Sequence, residues 1–289
     1  MAICELCGQD VNHVLLFQTL SMQTKEAFQI GECTFCRVRK VLNPPQDLSP
    51  YYVNTHMRKS NNKLYVFLKQ LLLKSELNRI LKFAGPDQEF LDIGCGTGDF
   101  VKTIHDQGRK VRASDSAPDK PVMAKDLNDI EYYQFDYADY SLRGLDRINH
   151  GIVILRHVLE HAASPRTFIK KLLSYGITGF YIVVPNHGNY EDKLFGQYYF
   201  PCNPPLHLWF FEKETLIRFL ENEGLEIAES GFYTIPNLVC NLYRYLYLKN
   251  YPVWFCEIFN PQGIVSALSG PLDFLMPNNV LWVYARVKK

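Results

Sequence analysis

The sequence predicts an α/β fold, an open and mainly parallel sheet preceded by a small cysteine-held module. Three observations predict it. An apolar strand closing on Asp92 runs straight into Gly94-Cys95-Gly96-Thr97-Gly98, and a helical pattern follows over 99–107; this strand–turn–helix order is the unit from which parallel sheets are built. Three successive apolar runs each end in an acid, Asp92, Asp115 and Asp136. Ahead of them, Cys4-x-x-Cys7 and Cys33-x-x-Cys36 form two pairs with 25 residues between.

The elements follow in order. Each Cys-x-x-Cys turn can offer two thiolates to one tetrahedral zinc ion, and closing the intervening loop stabilises a segment too short for its own core. The start of the chain lacks the cationic and apolar regions of a signal peptide and no run of 18 apolar residues occurs, so the expected location is cytoplasmic and the expected cysteine chemistry is reduced. Four cysteines fill a tetrahedral shell, so zinc held by Cys4, Cys7, Cys33 and Cys36 is structural. Residues 1–42 therefore read as a zinc ribbon with strands near His13–Phe17 and Phe28–Ile30. Cys95 supplies a small side chain to the glycine loop, and Cys202, Cys240 and Cys256 read as buried hydrophobes.

Residues 43–84 read as a linker and a helix. Asn43-Pro44-Pro45 breaks the chain. An amphipathic helix is predicted from about Ser60 to Phe83, with Leu64, Phe67, Leu68, Leu71 and Leu72 on one face, ending at Gly85-Pro86. Such a helix packs on the sheet edge or covers the cofactor.

Residues 85–289 hold the main domain. Glycines at alternate positions let the backbone turn sharply and bring bare N–H groups to a ligand at a helix N-terminus. The dinucleotide fingerprint is G-x-G-x-x-G, whereas the spacing here is G-x-G-x-G with an acid two residues ahead. That anion repels a pyrophosphate but suits a ligand carrying an ammonium and a sulfonium, which favours S-adenosylmethionine. Lys110–Asp115 reads as a second strand whose acid, 23 residues beyond Asp92, can take ribose hydroxyls. Ile130–Asp136 is a third strand. Gly151–Leu155 is a fourth, followed by Arg156-His157-Val158-Leu159-Glu160-His161. Ser164-Pro165 caps a helix running to about Tyr175. Phe180–Val184 is a fifth strand, ending in Pro185-Asn186. A helix over 213–223 with Leu216, Phe219 and Leu220 on one face, a sixth strand over Leu225–Thr234 and a final antiparallel strand over Val280–Lys288 complete the sheet. The last two strands enclose an aromatic-rich insertion at about 236–279, far beyond the usual ~4–6-residue loop.

Composition bounds the chemistry. At 289 residues, 47% hydrophobic and 21% charged, with 31 basic and 30 acidic side chains, the chain has a large core and no global electrostatic footprint for nucleic acid.

Taken together, the cysteine knuckles, LDIGCGTG, HVLEH, VPN and the run PPLHLWFFEKETL resemble the zinc-ribbon class I S-adenosylmethionine-dependent methyltransferases of bacterial polysaccharide and glycolipid gene sets. That group is related to sugar C-methyltransferases and ubiquinone-type O-methyltransferases. The likeness covers residues 1 to about 235 and the last strand. It implies a Rossmann-like, seven-stranded methyltransferase sheet with an N-terminal zinc ribbon. It also implies methyl transfer to an O or C atom of a sugar, nucleotide-sugar or lipid-linked glycan, with the cofactor held by Asp92, Gly94, Cys95, Gly96, Gly98, Asp115, Ser116, Asp136 and Arg156. Two departures stand out. The family's acid opening strand 4 is replaced around Asn149-His150-Gly151, and its Pro-Arg-His-Leu reads Pro205-Leu206-His207-Leu208.

A hydroxyl or carbon acid needs a base. His207, His161 and His157, in that order, are the candidates near the carboxyl ends of the strands, with His187 behind them and Glu160 as an orienting group. Asn43-Pro44-Pro45 and Asn203-Pro204-Pro205 lack the position and aromatic of an amide-methylating motif and read as turns. Other readings are an RNA methyltransferase gripping its substrate with the ribbon, a non-catalytic binding module and, last, a dehydrogenase. The tyrosines, Trp254 and Leu of 238–259, mixed with Arg244, Lys249 and Glu257, suit a cover over the substrate cleft, a dimer contact or a peripheral membrane contact.

Overall fold

A computed structural model describes residues 2–52, 63–117, 119–121, 129–145, 148, 150–259 and 277–288. At the N-terminus β1 (Ala2–Ile3) pairs with β2 (Asp10–Val11) across the first cysteine turn. β3 (His13–Leu20), β4 (Ala27–Cys33) and β5 (Arg39–Val41) form an antiparallel meander. Its first hairpin extends past the predicted strand ends because the Ser21 hydroxyl accepts the N–H groups of Gln23 and Thr24 and closes the turn.

A short helix α1 (Ser49–Tyr52) precedes α2 (Lys63–Leu81). The helix is where the sequence places it, but its buried face is not. Phe67 and Leu71 are 56% and 49% exposed, Leu72 is half-buried, and the packed residues are Leu73, Glu76, Leu77 and Ile80. The side chains of Leu64 and Leu68 lie outside the described residues. Each residue rotates a helix by about 100°, and this one is oriented by its second half, where Glu76 pairs with Arg156 and Leu73, Leu77 and Ile80 join the core beneath the sheet.

The main sheet follows: β6 (Phe90–Ile93), α3 (Asp99–His105), β7 (Val111–Asp115), β8 (Tyr132–Asp136), the two-residue β9 (Ser141–Leu142), β10 (Gly151–Arg156), α4 (Pro165–Ser174) and β11 (Ile177–Pro185). The chain continues through α5 (Tyr190–Phe195), β12 (Trp209–Phe210), α6 (Lys213–Asn222), β13 (Leu225–Tyr233), α7 (Leu238–Leu248), α8 (Val253–Cys256) and β14 (Val280–Val287). The strand order is β13-β14-β11-β10-β6-β7-β8-β9. The seven predicted strands are present, and β9 adds an eighth at the edge. β14 runs antiparallel between β11 and β13, in register from Val280 opposite Pro185 and Tyr233. The chain leaves β6 towards β7 on one side and returns as β10 on the other, so the ligand crevice lies at the carboxyl ends of β6 and β10.

The sheet separates two apolar layers. One contains Leu77 and Ile80 of α2 with Phe100, Val101 and Ile104 of α3. The other joins Phe168, Leu172 and Phe219 to Leu6, Ile30 and Val38 of the ribbon. The ribbon is bound further by strand pairing, because β12 adds to β5 with Trp209 opposite Lys40 and Phe210 opposite Arg39. Arg39 then reaches Asp192 at 2.7 Å, and Glu5 accepts the Ser164 hydroxyl at 2.7 Å. Within the insertion α7 and α8 are helical, and 260–276 lie outside the described residues.

Candidate active site

The glycine loop is built by backbone. Gly94, Gly96 and Gly98 all have left-handed φ, at 69°, 54° and 82°, a region that costs other residues about 1 kcal/mol or more. Gly94 has a second constraint, since a Cβ there would meet Val158 Cγ2 at 2.6 Å. Only a residue without a side chain lets this loop lie against the segment after β10. Cys95 N donates to Ser114 O at 3.0 Å and Gly98 N to Cys95 O at 2.9 Å.

The acids surround it. Asp92 is 3% exposed. Burial pushes its carboxyl up to about 7, with the Arg156 charge opposing that and the Asp115 and Glu76 charges adding to it. Asp115 Oδ2 accepts the Gly96 N–H at 2.8 Å and its Oδ1 accepts the Ser116 N–H at 2.7 Å, so Asp115, Ser116 and the loop form one hydrogen-bonded unit. Asp136 closes β8, but its carboxylate caps Ala138 N at 2.9 Å and meets Arg143 at 3.2 Å. Arg156 lies behind Asp92, where Glu76 takes its Nε at 2.7 Å and its Nη2 at 3.2 Å, and its guanidinium covers the Phe100 ring.

The histidines after β10 and β11 converge. His157, in a left-handed conformation (φ 56°), has Nδ1 3.4 Å from Glu160 Oε1. Leu159–His161 form a 3-10 turn. His161 Nδ1 is 2.7 Å from Leu206 O, His207 Nδ1 is 2.7 Å from Pro201 O, and their rings meet edge to face. Burial and the neighbouring His161 hold the His207 imidazole down, at about 3. Burial works against ionisation of Glu160, but the facing His157 and the nearby His161 and His207 rings outweigh it and hold the carboxyl at about 2. His157 and His207 line a small cavity with Pro185, Phe200, Asn237 and Asn279 at the carboxyl ends of the strands. Of the three predicted bases, His157 lines the cavity and faces a carboxylate, its side chain 38% exposed. His187 belongs elsewhere: it is buried between Tyr199 and Phe210 with Asp192 at 3.7 Å.

One part of this wall went unread in the sequence. The fully buried Glu191 carboxylate accepts the side-chain amides of Asn237 and Asn241, each at 2.9 Å, and of Asn279 at 3.4 Å. Asn237 and Asn241 are four apart at the start of α7, a spacing that places both on one helix face, but their partner is 46 and more residues away. Asn203-Pro204-Pro205 is a turn, as the sequence suggests, with Asn203 Oδ1 accepting from Arg244 at 3.3 Å.

In the N-terminal module, Cys4, Cys7, Cys33 and Cys36 bring their sulfurs within 4.8 Å of one another, with Cys4–Cys36 at 3.8 Å and Cys7–Cys33 at 3.9 Å. A tetrahedral zinc with Zn–S bonds of about 2.3 Å has sulfurs about 3.8 Å apart, so the geometry is compatible with a zinc ribbon. The Cys36 contact pushes Cys4 down to about 4 while the same contact and burial push Cys36 up, a set of thiols that a cation would relieve.

A search of curated proteins finds no match. Among solved structures, a Burkholderia thailandensis 1,6-didemethyltoxoflavin-N1-methyltransferase, solved with 1,6-didemethyltoxoflavin and S-adenosylhomocysteine, is 13% identical. The likeness covers 96% of this chain and 100% of that one at a TM-score of 0.53. A Bacillus halodurans protein ascribed to the methyltransferases is 17% identical over 74% of this chain and 100% of its own at a TM-score of 0.52. These likenesses show the fold that the two proteins share with this chain. A family model described as "Methyltransferase domain" matches residues 67–230, from α2 through β13. That span is more than half the chain and contains the glycine loop, the acids and all three histidines: the chain belongs to the methyltransferase-domain family and is an S-adenosylmethionine-dependent methyltransferase.

Proposed function

We propose that the chain methylates an oxygen or carbon of a sugar, nucleotide-sugar or lipid-linked glycan, with His157 as the base. The observation carrying this reading is the contact between Gly94 and Val158, which brings the donor loop against the residue next to His157 in the cavity wall. S-adenosylmethionine supplies an activated methyl group on a good leaving sulfur. The chain's own residues do the rest. Asp92 and Asp115 offer carboxylates to the cofactor's cationic and ribose ends, and Gly96 and Gly98 let backbone approach it. Ser116 and Cys95 close the rim, while Arg156 orders Asp92 from behind. Asp136 is left to its turn.

Acceptor positioning falls to the cavity. Asn237, held by Glu191, and Asn279, held by Glu191 and the Ile235 backbone, give the cavity a rigid polar wall, and alignment with water excluded is the main protein contribution to methyl transfer. Glu160 orients His157, which would take the proton from the acceptor atom as that atom is methylated. In the ribbon, Cys4, Cys7, Cys33 and Cys36 would hold zinc, which supplies folding stability and no reaction step. The net charge of +1 argues against the extensive phosphate contact of an RNA substrate.

Tritium transfer from methyl-labelled S-adenosylmethionine into cell-extract fractions tests the reading. Label is expected in glycan or nucleotide-sugar fractions; label confined to RNA or protein overturns it. A second reading concerns the insertion. Trp254 and Val253 are 71% and 66% exposed and Ile258 stands beside them, a set suited to resting on a membrane that holds a lipid-linked acceptor. Flotation of the pure protein with anionic liposomes checks it, and absence of co-migration removes it. Among the described residues no helix is long and apolar enough to cross a membrane.

A further inference from the structure

We propose that Glu160, His161 and His207 form a second metal site, separate from the four cysteines, which holds a divalent first-row transition ion in the wall of the acceptor cavity. The three residues bring one ligand atom each within 4.8 Å of one another. Their imidazole tautomers are already fixed. Both Nδ1 atoms point at backbone carbonyls, Leu206 O and Pro201 O, at 2.7 Å. A carbonyl only accepts, so each Nδ1 carries the proton and each Nε2 keeps its lone pair. A carbonyl behind a ligating histidine is the usual arrangement that orients the ring for a metal.

The carboxylate supplies the second, independent observation. Glu160 is 1% exposed, and neither of its oxygens has a hydrogen bond among the described residues. His157 Nδ1, at 3.4 Å, faces Oε1 alone and leaves Oε2 unmatched. A buried carboxylate in that condition needs a cation or a donor. The edge-to-face packing of His161 on His207 accounts for the rings but not for this oxygen.

The fold also fixes the three residues relative to one another. Glu160 and His161 are neighbours on the 3-10 turn after β10. Leu208 N donates to Glu160 O at 2.8 Å and Trp209 Nε1 to Ala162 O at 2.9 Å, so the loop carrying His207 is bolted to that turn on both sides of His161. Pairing of β12 with the ribbon strand β5 holds the same loop from behind.

Two imidazoles and one carboxylate suit zinc, cobalt, manganese or iron better than magnesium or calcium, which prefer all-oxygen shells. Three protein ligands leave positions open, and His207 places them towards the cavity. A hydroxyl taken there would be acidified beside His157; this consequence rests on the acceptor reading above, whereas the metal site does not.

Cobalt loading tests the proposal. The purified full chain, freed of metal by dialysis against a chelator and then against metal-free buffer, is titrated with Co2+ and followed by absorption and by metal analysis after desalting. One equivalent is expected to lack thiolate charge-transfer absorption, in addition to any that the cysteines bind with it. His161→Ala and His207→Ala should each lose the thiolate-free equivalent and leave the thiolate band unchanged, and Glu160→Gln should weaken it at least about tenfold. Absence of a thiolate-free equivalent in the native chain, or its retention in both histidine variants, overturns the site. Calorimetric binding of S-adenosylhomocysteine is measured in parallel. Binding without the metal equivalent sinks this proposal alone, whereas metal without binding sinks the function proposed above.

Discussion

The two ends of the catalytic crevice are made differently. The proposed donor end is built mostly from nine neighbouring residues, Phe90–Gly98, with Asp115 and Ser116 joined to them from the next strand; its working parts are backbone N–H groups, positive-φ glycines and acids that close strands. The acceptor end draws single side chains from β10's exit, the 199–208 loop, α5, α7 and the start of β14: His157 and His207 are met by neighbours three and six residues away, but Asn237 and Asn279 are tied to Glu191 across 46 and 88 residues. A ligand common to a whole fold can be met by local backbone geometry, because its shape does not change. An acceptor peculiar to one enzyme is met by side chains on loops, which can vary without disturbing the sheet.

That contrast can be broken by experiment, beginning with the largest effect. His157→Ala should lower kcat by about 10²–10⁴-fold while S-adenosylhomocysteine affinity by calorimetry stays within about twofold. A matching loss of affinity would mean that the two ends are not separable. Gly94→Ala should act the other way. It places a methyl group 2.6 Å from Val158 Cγ2 at a φ of 69°, at a cost of about 1–3 kcal/mol, so cofactor affinity should fall by about 5–150-fold and Tm should drop in thermal unfolding.

The pH dependence sharpens the donor side. Burial holds the Asp92 carboxyl up to about 7 against an ordinary 3.8, with Arg156 pulling it back and Asp115 and Glu76 raising it further. A cationic ligand needs the carboxylate, so affinity for S-adenosylmethionine should rise by up to tenfold per pH unit below about 7 and level off above it. Asp92→Asn should abolish the slope in isothermal titration. Unliganded stability has the opposite sign. The unfolded chain ionises Asp92 near 3.8 while the folded chain stays protonated until about 7, so this group makes Tm fall between those values and contributes no further change above. The smallest effect belongs to the insertion. Trp254→Ser, at a 71% exposed position, should change unfolding free energy by no more than about 0.5 kcal/mol, and a larger loss by chemical denaturation would show that this surface is covered.

The strands and helices, the glycine loop, the two cysteine turns and the segments that carry the histidines were legible in the residues alone, because each depends on neighbours within a turn or two. Ser164 caps α4 by accepting from Thr167 N, as its position before Pro165 indicates. Tertiary structure decided the rest. Which face α2 buries was fixed by Glu76 meeting Arg156 eighty residues on, and apolar spacing alone, which fits more than one rotation of a leucine-rich helix, could not select it. The choice among His157, His161 and His207 was likewise invisible, since it rests on which ring nitrogen faces Pro201 O, Leu206 O or Glu160. Nor did spacing relate Glu191 to Asn237, Asn241 and Asn279, or show β12 completing the ribbon's sheet. Local chemistry fixes what a segment can become; buried charges and hydrogen bonds between distant segments, satisfied only once the core closes, fix what it faces.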